Sequence, residues 1–252
     1  STLKESIFLT NYDKSALPLM YLFTAIFMTF FIMFYKKLSV LKEQISVLLI
    51  INLFFTCSFV IFTFNLSGFR IPIFYILFEI YMGISVMQFW VIAGNTFNTR
   101  QAKRIFTLII TGGSFASILA GFFIQPFSNL YGVESLLYLS IFLIIISSIS
   151  AIFLKQFQLE NLPEVNDPID QRKISVKNLS PYIRNIAILV ALSSFISKVV
   201  DYQFKITATN FYTTEYELVS FFGNYYALTG LTTLVFQFFL SSYLLRNFGV
   251  LV

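Results

Sequence analysis

The sequence predicts an all-α protein whose helices form a polytopic bundle in a membrane, and two observations support this prediction. The chain is 57% hydrophobic and 19% aromatic, with only 12% charged residues, whereas soluble domains average roughly 45–50% apolar and about 25% charged residues. The apolar residues also lie in long continuous runs rather than in alternation with polar ones. Helices suit such runs because a helix satisfies its own backbone hydrogen bonds in lipid.

Seven apolar runs are each near or above the roughly 20 residues that a helix needs to cross about 30 Å of hydrocarbon. Each run is therefore predicted to be one membrane helix. In chain order, the predicted spans are Leu17 to Tyr35, Ile45 to Phe64, Ile71 to Gly94, Ile105 to Gln125, Glu134 to Leu154, Tyr182 to Thr207 and Leu218 to Leu245.

Lysine and arginine residues are distributed unevenly between the two sets of loops. Because loops rich in Lys and Arg stay in the cytoplasm, the richer set is predicted to be cytoplasmic. The basic residues are divided among several loops, so the net charge of +5 indicates topology and not a nucleic-acid surface. The cytoplasmic set is Lys36, Lys37, Lys42, Arg100, Lys103, Arg104, Lys155, Arg172, Lys173, Lys177, Arg184 and Arg246, and the other side has Lys4, Lys14 and Arg70.

One long polar connection divides the chain. The segment Lys155 to Ser180 is rich in charges and contains prolines, which is typical of a flexible linker. The predicted domains are an N-terminal helix bundle at 1–154, a cytoplasmic linker at 155–181 and the start of a C-terminal bundle at 182–252. The odd number of spans, the lack of an initial Met and the apolar run that begins at Gly249 predict a fragment of a longer protein.

The composition argues against several classes of function. The chain has no His, the side chain that normally titrates near neutral pH. Its single cysteine, Cys57, permits neither an intramolecular disulfide nor a multi-cysteine zinc site. The sequence also lacks the Gly-rich phosphate loop of ATP-hydrolysing proteins. We therefore expect a protein that is not an enzyme and that carries no cofactor or metal.

Small residues occur at helical spacing in two of the predicted spans. Gly113, Ser117 and Gly121 recur at intervals of four in the fourth span, and Gly223 and Gly230 lie seven apart in the seventh. Small residues in this register let another helix approach closely. Close helix packing is the first interpretation, and a surface along which helices move is compatible with it.

Charged residues within the spans are the strongest indication of function. Lys198, Asp201 and Lys205 lie on one face of the sixth span, and a charge at mid-bilayer costs about 2.5–3.5 kcal/mol on insertion scales. Such groups turn inward, toward a cavity or a partner. The spacing lets Asp201 pair with either lysine. A fourth charge, Glu79, lies in the third span, and it is expected either to pair with a lysine of a neighbouring helix or to belong to a site.

Three stretches of the chain resemble the ATP/ADP translocases of plastids and intracellular bacteria. The matching residues are Thr2 to Ser6 with Leu17 and Pro18; Glu79 to Gly83 with Phe89, Trp90, Ala93, Asn95, Ala102 to Arg104 and Gly112; and Tyr182, Ile183, Arg184, Ala187, Leu189, Val190, Ile196, Ser197, Asp201, Lys205, Glu215, Tyr216, Phe221, Gly223, Thr229, Gly230, Thr233, Leu244 to Arg246, Phe248 and Gly249.

The resemblance implies a twelve-helix fold of the major facilitator kind, of which this chain would hold the second to eighth helices. It also implies that the charges linked to transport fall on Lys4, Glu79, Asp201 and Lys205. Composition alone places Lys4 in a polar tail. The family usually has Glu where Asp201 stands, and it does not have Lys198, which we interpret as the local partner of Asp201 or as a mark of altered specificity. Lys198, Trp90 and Asn224 are further candidates for contact with the substrate.

The resulting hypothesis is a secondary transporter of an anionic solute, with ATP or ADP as the expected substrate, in a bacterial inner membrane. Lysines would bind the phosphates, while Glu79 and Asp201 would pair with them in the empty site or carry a proton. Two alternatives remain at this point: a transporter-like membrane sensor or anchor that moves no solute, and a seven-helix receptor. The expected partners are the nucleotide and membrane lipid, and no nucleic acid.

Overall fold

The computed structural model describes residues 2–96, 99–161 and 181–237. All regular elements within these residues are helical. They are α1 (Thr2–Asn11), a 3₁₀ turn (Lys14–Ala16), α2 (Leu17–Leu41), α3 (Gln44–Phe64), α4 (Arg70–Thr96), α5 (Thr99–Tyr131), α6 (Ser135–Asn161), α7 (Pro181–Phe211) and α8 (Glu215–Val235). The prediction of an all-α protein is confirmed.

Six helices of the described part, α2 to α7, are long and apolar enough to cross a membrane, so the chain is a multi-pass membrane protein. The seventh predicted span begins within α8 and continues to Leu245, which lies outside the described residues. Several boundaries differ from the prediction; helix α2, for example, continues to Leu41 rather than Tyr35. Helix α5 continues through Pro126, because a membrane helix tolerates the loss of one backbone hydrogen bond. Helix α6 continues to Asn161, so the first residues of the predicted linker are helical, and 162–180 lie outside the described residues.

The placement of Lys4 in a polar tail is wrong, because Lys4 belongs to a buried helix. In α1, the residues from Thr2 to Leu9 are all buried. This helix packs between α4 and α8, and Phe8 contributes a fully buried ring that lies 5.2 Å from the ring of Tyr75, centroid to centroid. The apolar residues of α1 therefore anchor its charged residues inside the bundle.

Contacts near the helix ends show which loops lie together at each end of the bundle. At one end, the Tyr12 hydroxyl donates to the Gly68 carbonyl oxygen at 2.9 Å, and the Lys14 ammonium donates to Asn210 at 2.8 Å. We call this the outer end, after the predicted topology. At the opposite, inner end, the Lys155 ammonium lies 2.9 Å from the Glu43 carboxylate and holds the pKa of Glu43 below its usual range. This grouping of loops matches the one predicted from Lys and Arg.

Helices α5 and α8 pack antiparallel through the small residues identified in the sequence. A Cβ atom at Gly121 would lie 2.5 Å from the Ala227 Cβ and 2.5 Å from the Gly223 carbonyl oxygen. A Cβ at Gly230 would lie 3.1 Å from the carbonyl oxygen of Ser114. The two backbones thus approach more closely than any larger residue at Gly121 permits, which confirms the predicted packing face.

We expect Gly121→Ala to destabilise the protein by about 1–3 kcal/mol, because the added methyl group overlaps backbone and side chain of α8. The matched control is Gly113→Ala in the same helix, where a Cβ would meet no heavy atom within 4 Å. Melting temperatures of the purified full-length variants in detergent measure the difference. Equal melting temperatures for the two variants would contradict the close packing of α5 on α8.

Candidate functional site

Two lysines are enclosed in the interior of the bundle. Lys4 is 1% exposed and Lys205 is 2% exposed. Counted at 1.5 Å per residue, they lie roughly 9–10 Å along their helices from the outer end. A charge that leaves water is tolerated only when it is paired and hydrogen-bonded. The surroundings of the two ammonium groups therefore define the site.

The Lys4 ammonium of α1 forms a salt bridge with the Glu79 carboxylate of α4. It also lies 3.6 Å from an oxygen of its neighbour Glu5 and 4.1 Å from the centre of the Tyr75 ring. Glu79 is one helical turn after Tyr75, so the carboxylate and the ring lie on the same face of α4. Two anions and an aromatic face thus stabilise this cation, which confirms the expectation that Glu79 pairs with a lysine of a neighbouring helix.

The Lys205 ammonium of α7 is held in a similar way. It lies 2.7 Å from the Asp201 carboxylate, four residues earlier on the same helix, and 3.1 Å from Glu5 of α1. The Tyr21 hydroxyl of α2 donates to the same Asp201 oxygen at 3.0 Å. Three helices therefore fix the position of Lys205.

Glu5 connects the two lysines. Its Oε1 oxygen lies within 4 Å of both ammonium groups, at 3.6 Å from Lys4 and 3.1 Å from Lys205, and its Oε2 oxygen accepts a hydrogen bond from the Tyr226 hydroxyl of α8 at 3.4 Å. The result is a chain of alternating charges that we call the charged cluster: Glu79, Lys4, Glu5, Lys205 and Asp201. Two positive and three negative charges give the cluster a formal charge of −1.

The charged cluster unites all four principal candidates from the sequence, Lys4, Glu79, Asp201 and Lys205. The expectation that Lys198 is the local partner of Asp201 is wrong, because Asp201 pairs with Lys205 instead. The Lys198 ammonium lies over the ring of Tyr21, 5.2 Å from its centre.

Two further candidates lie outside the cluster. Trp90 is eleven residues after Glu79 on α4, about 16 Å along the helix, and it packs edge-on against Phe89 with 5.5 Å between ring centres. Asn224 of α8 donates to Gln125 of α5 at 3.3 Å. The structure therefore gives Asn224 a contact between helices and does not bring Trp90 to the charged cluster.

Sequence reasoning missed the central residue of the cluster, Glu5, and the tyrosines around it. Glu5 is adjacent to Lys4, and this adjacency was the available signal. Tyr21, Tyr75 and Tyr226 gave no signal, because a tyrosine in an apolar span is ordinary. Their contacts depend on how five helices, α1, α2, α4, α7 and α8, come together.

A cavity of about 590 Å³ lies between α1, α4, α5 and α8. Tyr226, the hydrogen-bond partner of Glu5, belongs to its wall, whereas no residue of the charged cluster does. The volume is within the range of roughly 300–1,000 Å³ that is typical of small-molecule sites. The cavity is lined by Thr2, Met82, Ile110, Gly113, Ser114, Ser117, Ala120, Gly121, Ile124, Tyr226, Thr229, Gly230 and Thr233.

The chain is similar to known carrier proteins. The ADP,ATP carrier protein 4 of Rickettsia conorii is 26% identical over 91% of this chain and 50% of its own length. The same carrier of Rickettsia felis is 26% identical over 73% of this chain and 41% of its own length. The chain thus spans about half the length of the curated relatives it matches or less. A comparison with solved structures finds no significant match.

The family comparison covers nearly the whole chain. The family model described as TLC ATP/ADP transporter matches residues 11–252. The match includes Glu79, Asp201 and Lys205, and it begins at Asn11, the last residue of α1, so Lys4 and Glu5 lie outside it. Because it extends over far more than half of the sequence, the chain belongs to the TLC ATP/ADP transporter family.

Proposed function

We propose that the full-length protein is a secondary transporter that exchanges or imports ATP or ADP across a bacterial inner membrane by alternating access. The observation that carries this proposal is the charged cluster, which links α1 and α4 to α7 inside the bundle and is connected through Tyr226 to a cavity of about 590 Å³. A seven-helix receptor is disfavoured by membership in a transporter family.

Lys4 and Lys205 are the proposed binding groups for the phosphates. Both are buried, and both are neutralised by carboxylates that a phosphate oxygen can replace. An ammonium suits this exchange because it acts as a point charge with three donors, so it does not require one fixed partner geometry. Glu79 and Asp201 hold the lysines in place while the site is empty.

In the proposed alternating-access movement, the ion pair between Glu5 and Lys205 is the connection that opens. The pair Glu5 and Lys205 joins α1 to α7, which lie before and after residues 162–180 in the chain. A substrate that takes over Lys205 weakens this connection and allows α7 to move away from α1. The glycine-rich contact of α5 with α8 provides a smooth surface for such a movement.

We expect Lys4→Gln and Lys205→Gln each to reduce uptake of labelled ATP and ADP by at least about tenfold, since a hydrogen bond to a charged group contributes about 1.5–3 kcal/mol. The assay uses proteoliposomes that contain the full-length protein. Lys14→Gln is the matched control, because Lys14 pairs with Asn210 at the outer end and should keep normal uptake. Uptake by Lys4→Gln and Lys205→Gln equal to that of Lys14→Gln would refute the phosphate-binding role.

We expect Asp201→Asn and Glu79→Gln to slow uptake of ATP and ADP, because each leaves a buried lysine with one counter-charge fewer. Glu43→Gln at the inner end is the control, since Glu43 also pairs with a lysine but is exposed. Unchanged uptake in both site variants would remove Asp201 and Glu79 from the site. Nucleotide binding without any uptake by the wild type would instead indicate a sensor, and neither binding nor uptake would refute the proposed substrate.

A further inference from the structure

Glu5 is a buried carboxylate that contacts both proposed phosphate-binding lysines. Its side chain is 4% exposed, compared with 24% for Glu79 and 29% for Asp201. Among the described residues, Glu5 is the carboxylate that lies within 4 Å of both Lys4 and Lys205. It therefore occupies the centre of the charged cluster, whereas the other two carboxylates lie at its ends.

The contacts of Glu5 are those that a phosphate group would make. Both ammonium groups converge on the single oxygen Oε1, at 3.6 and 3.1 Å, and the Tyr226 hydroxyl donates to Oε2. Ammonium groups and a hydroxyl are also suitable donors for phosphate oxygens. Tyr226 also belongs to the wall of the cavity. The position that Glu5 occupies between the two lysines is therefore adjacent to this cavity through Tyr226.

We propose that Glu5 is an internal competitor of the substrate. Its carboxylate occupies the position between Lys4 and Lys205 that a phosphate group of the nucleotide takes during transport. This inference rests on the proposed function, because it requires the two lysines to bind phosphate. Glu5 closes the empty site by joining α1 to α7, and it returns to the lysines when the nucleotide leaves.

A carboxylate that competes for the lysines should affect transport in two ways: it weakens binding of the nucleotide, and it speeds its release. In the empty site it lowers the affinity for phosphate, because the nucleotide must displace Glu5 before it reaches the lysines. During release it accelerates departure, because Glu5 replaces the phosphate on the same two cations. Removing the charge of Glu5 should therefore tighten binding and slow turnover, while removing a lysine weakens binding.

The test is Glu5→Gln in the full-length protein, since glutamine keeps the side-chain volume and can still accept from Tyr226. Binding of ADP and of inorganic pyrophosphate is measured in detergent, and KM and kcat for ADP exchange are measured in proteoliposomes. We expect the Kd of both ligands to fall by about tenfold, which corresponds to one charge-assisted contact that no longer has to be displaced. KM and kcat should fall together.

Glu43→Gln serves as the control and should match the wild type in every measurement, because its ion pair with Lys155 lies at the inner end. Unchanged or weaker binding by Glu5→Gln overturns the inference and leaves the proposed function intact. A gain for ADP without a gain for pyrophosphate also overturns it, because a competitor for the lysines must affect both. A wild type that binds neither ligand refutes the proposed function itself.

A second variant covers the case in which Glu5→Gln does not fold. Glu5→Asp keeps the buried charge but withdraws the carboxylate by one methylene group, so it should reach the two lysines less well. Tighter binding of ADP and pyrophosphate by Glu5→Asp, smaller than the gain expected for glutamine, supports the inference. Binding by Glu5→Asp equal to or weaker than that of the wild type overturns it.

Discussion

The arrangement of this protein depends on the neutralisation of two buried lysines. An ammonium group without a counter-charge in the interior costs several kcal/mol, and Lys4 and Lys205 are both almost fully enclosed. Each is shared between two carboxylates, and Glu5 belongs to both sets. Because these partners come from α1, α4 and α7, satisfying the lysines fixes the relative positions of three helices.

Helix α1 illustrates this dependence. It carries two adjacent charges, Lys4 and Glu5, whose burial is costly unless both are paired. Phe8 and the other apolar residues of α1 bury it against α4 and α8, and the two charges then find partners on α4 and α7. Apolar packing and ion pairing therefore support one another, and neither would position α1 without the other.

Much of the fold could be predicted from the sequence, while only part of the site could be. Apolar runs predicted α2 to α7 because membrane thickness sets helix length. The cost of intramembrane charge identified Glu79, Asp201 and Lys205. The same reasoning could not choose between Lys198 and Lys205 as the partner of Asp201, because both spacings are allowed on a helix. Trp90 lies on the same face of α4 as Glu79 by helical periodicity, but its offset of eleven residues, about 16 Å along the helix, separates it from the charged cluster.

The charge balance of the site explains why binding should require helices to move. Lys198 interacts with the Tyr21 ring beside the cluster, so three lysines face three carboxylates, and the empty site is close to neutral. In the proposed transport cycle, a bound nucleotide would add several negative charges, and the carboxylates would withdraw from the lysines. Glu79 and Asp201 are partly exposed and can turn away as side chains. Glu5 is enclosed, so in this proposal its departure from Lys205 accompanies a separation of α1 from α7, the rearrangement that alternating access would require.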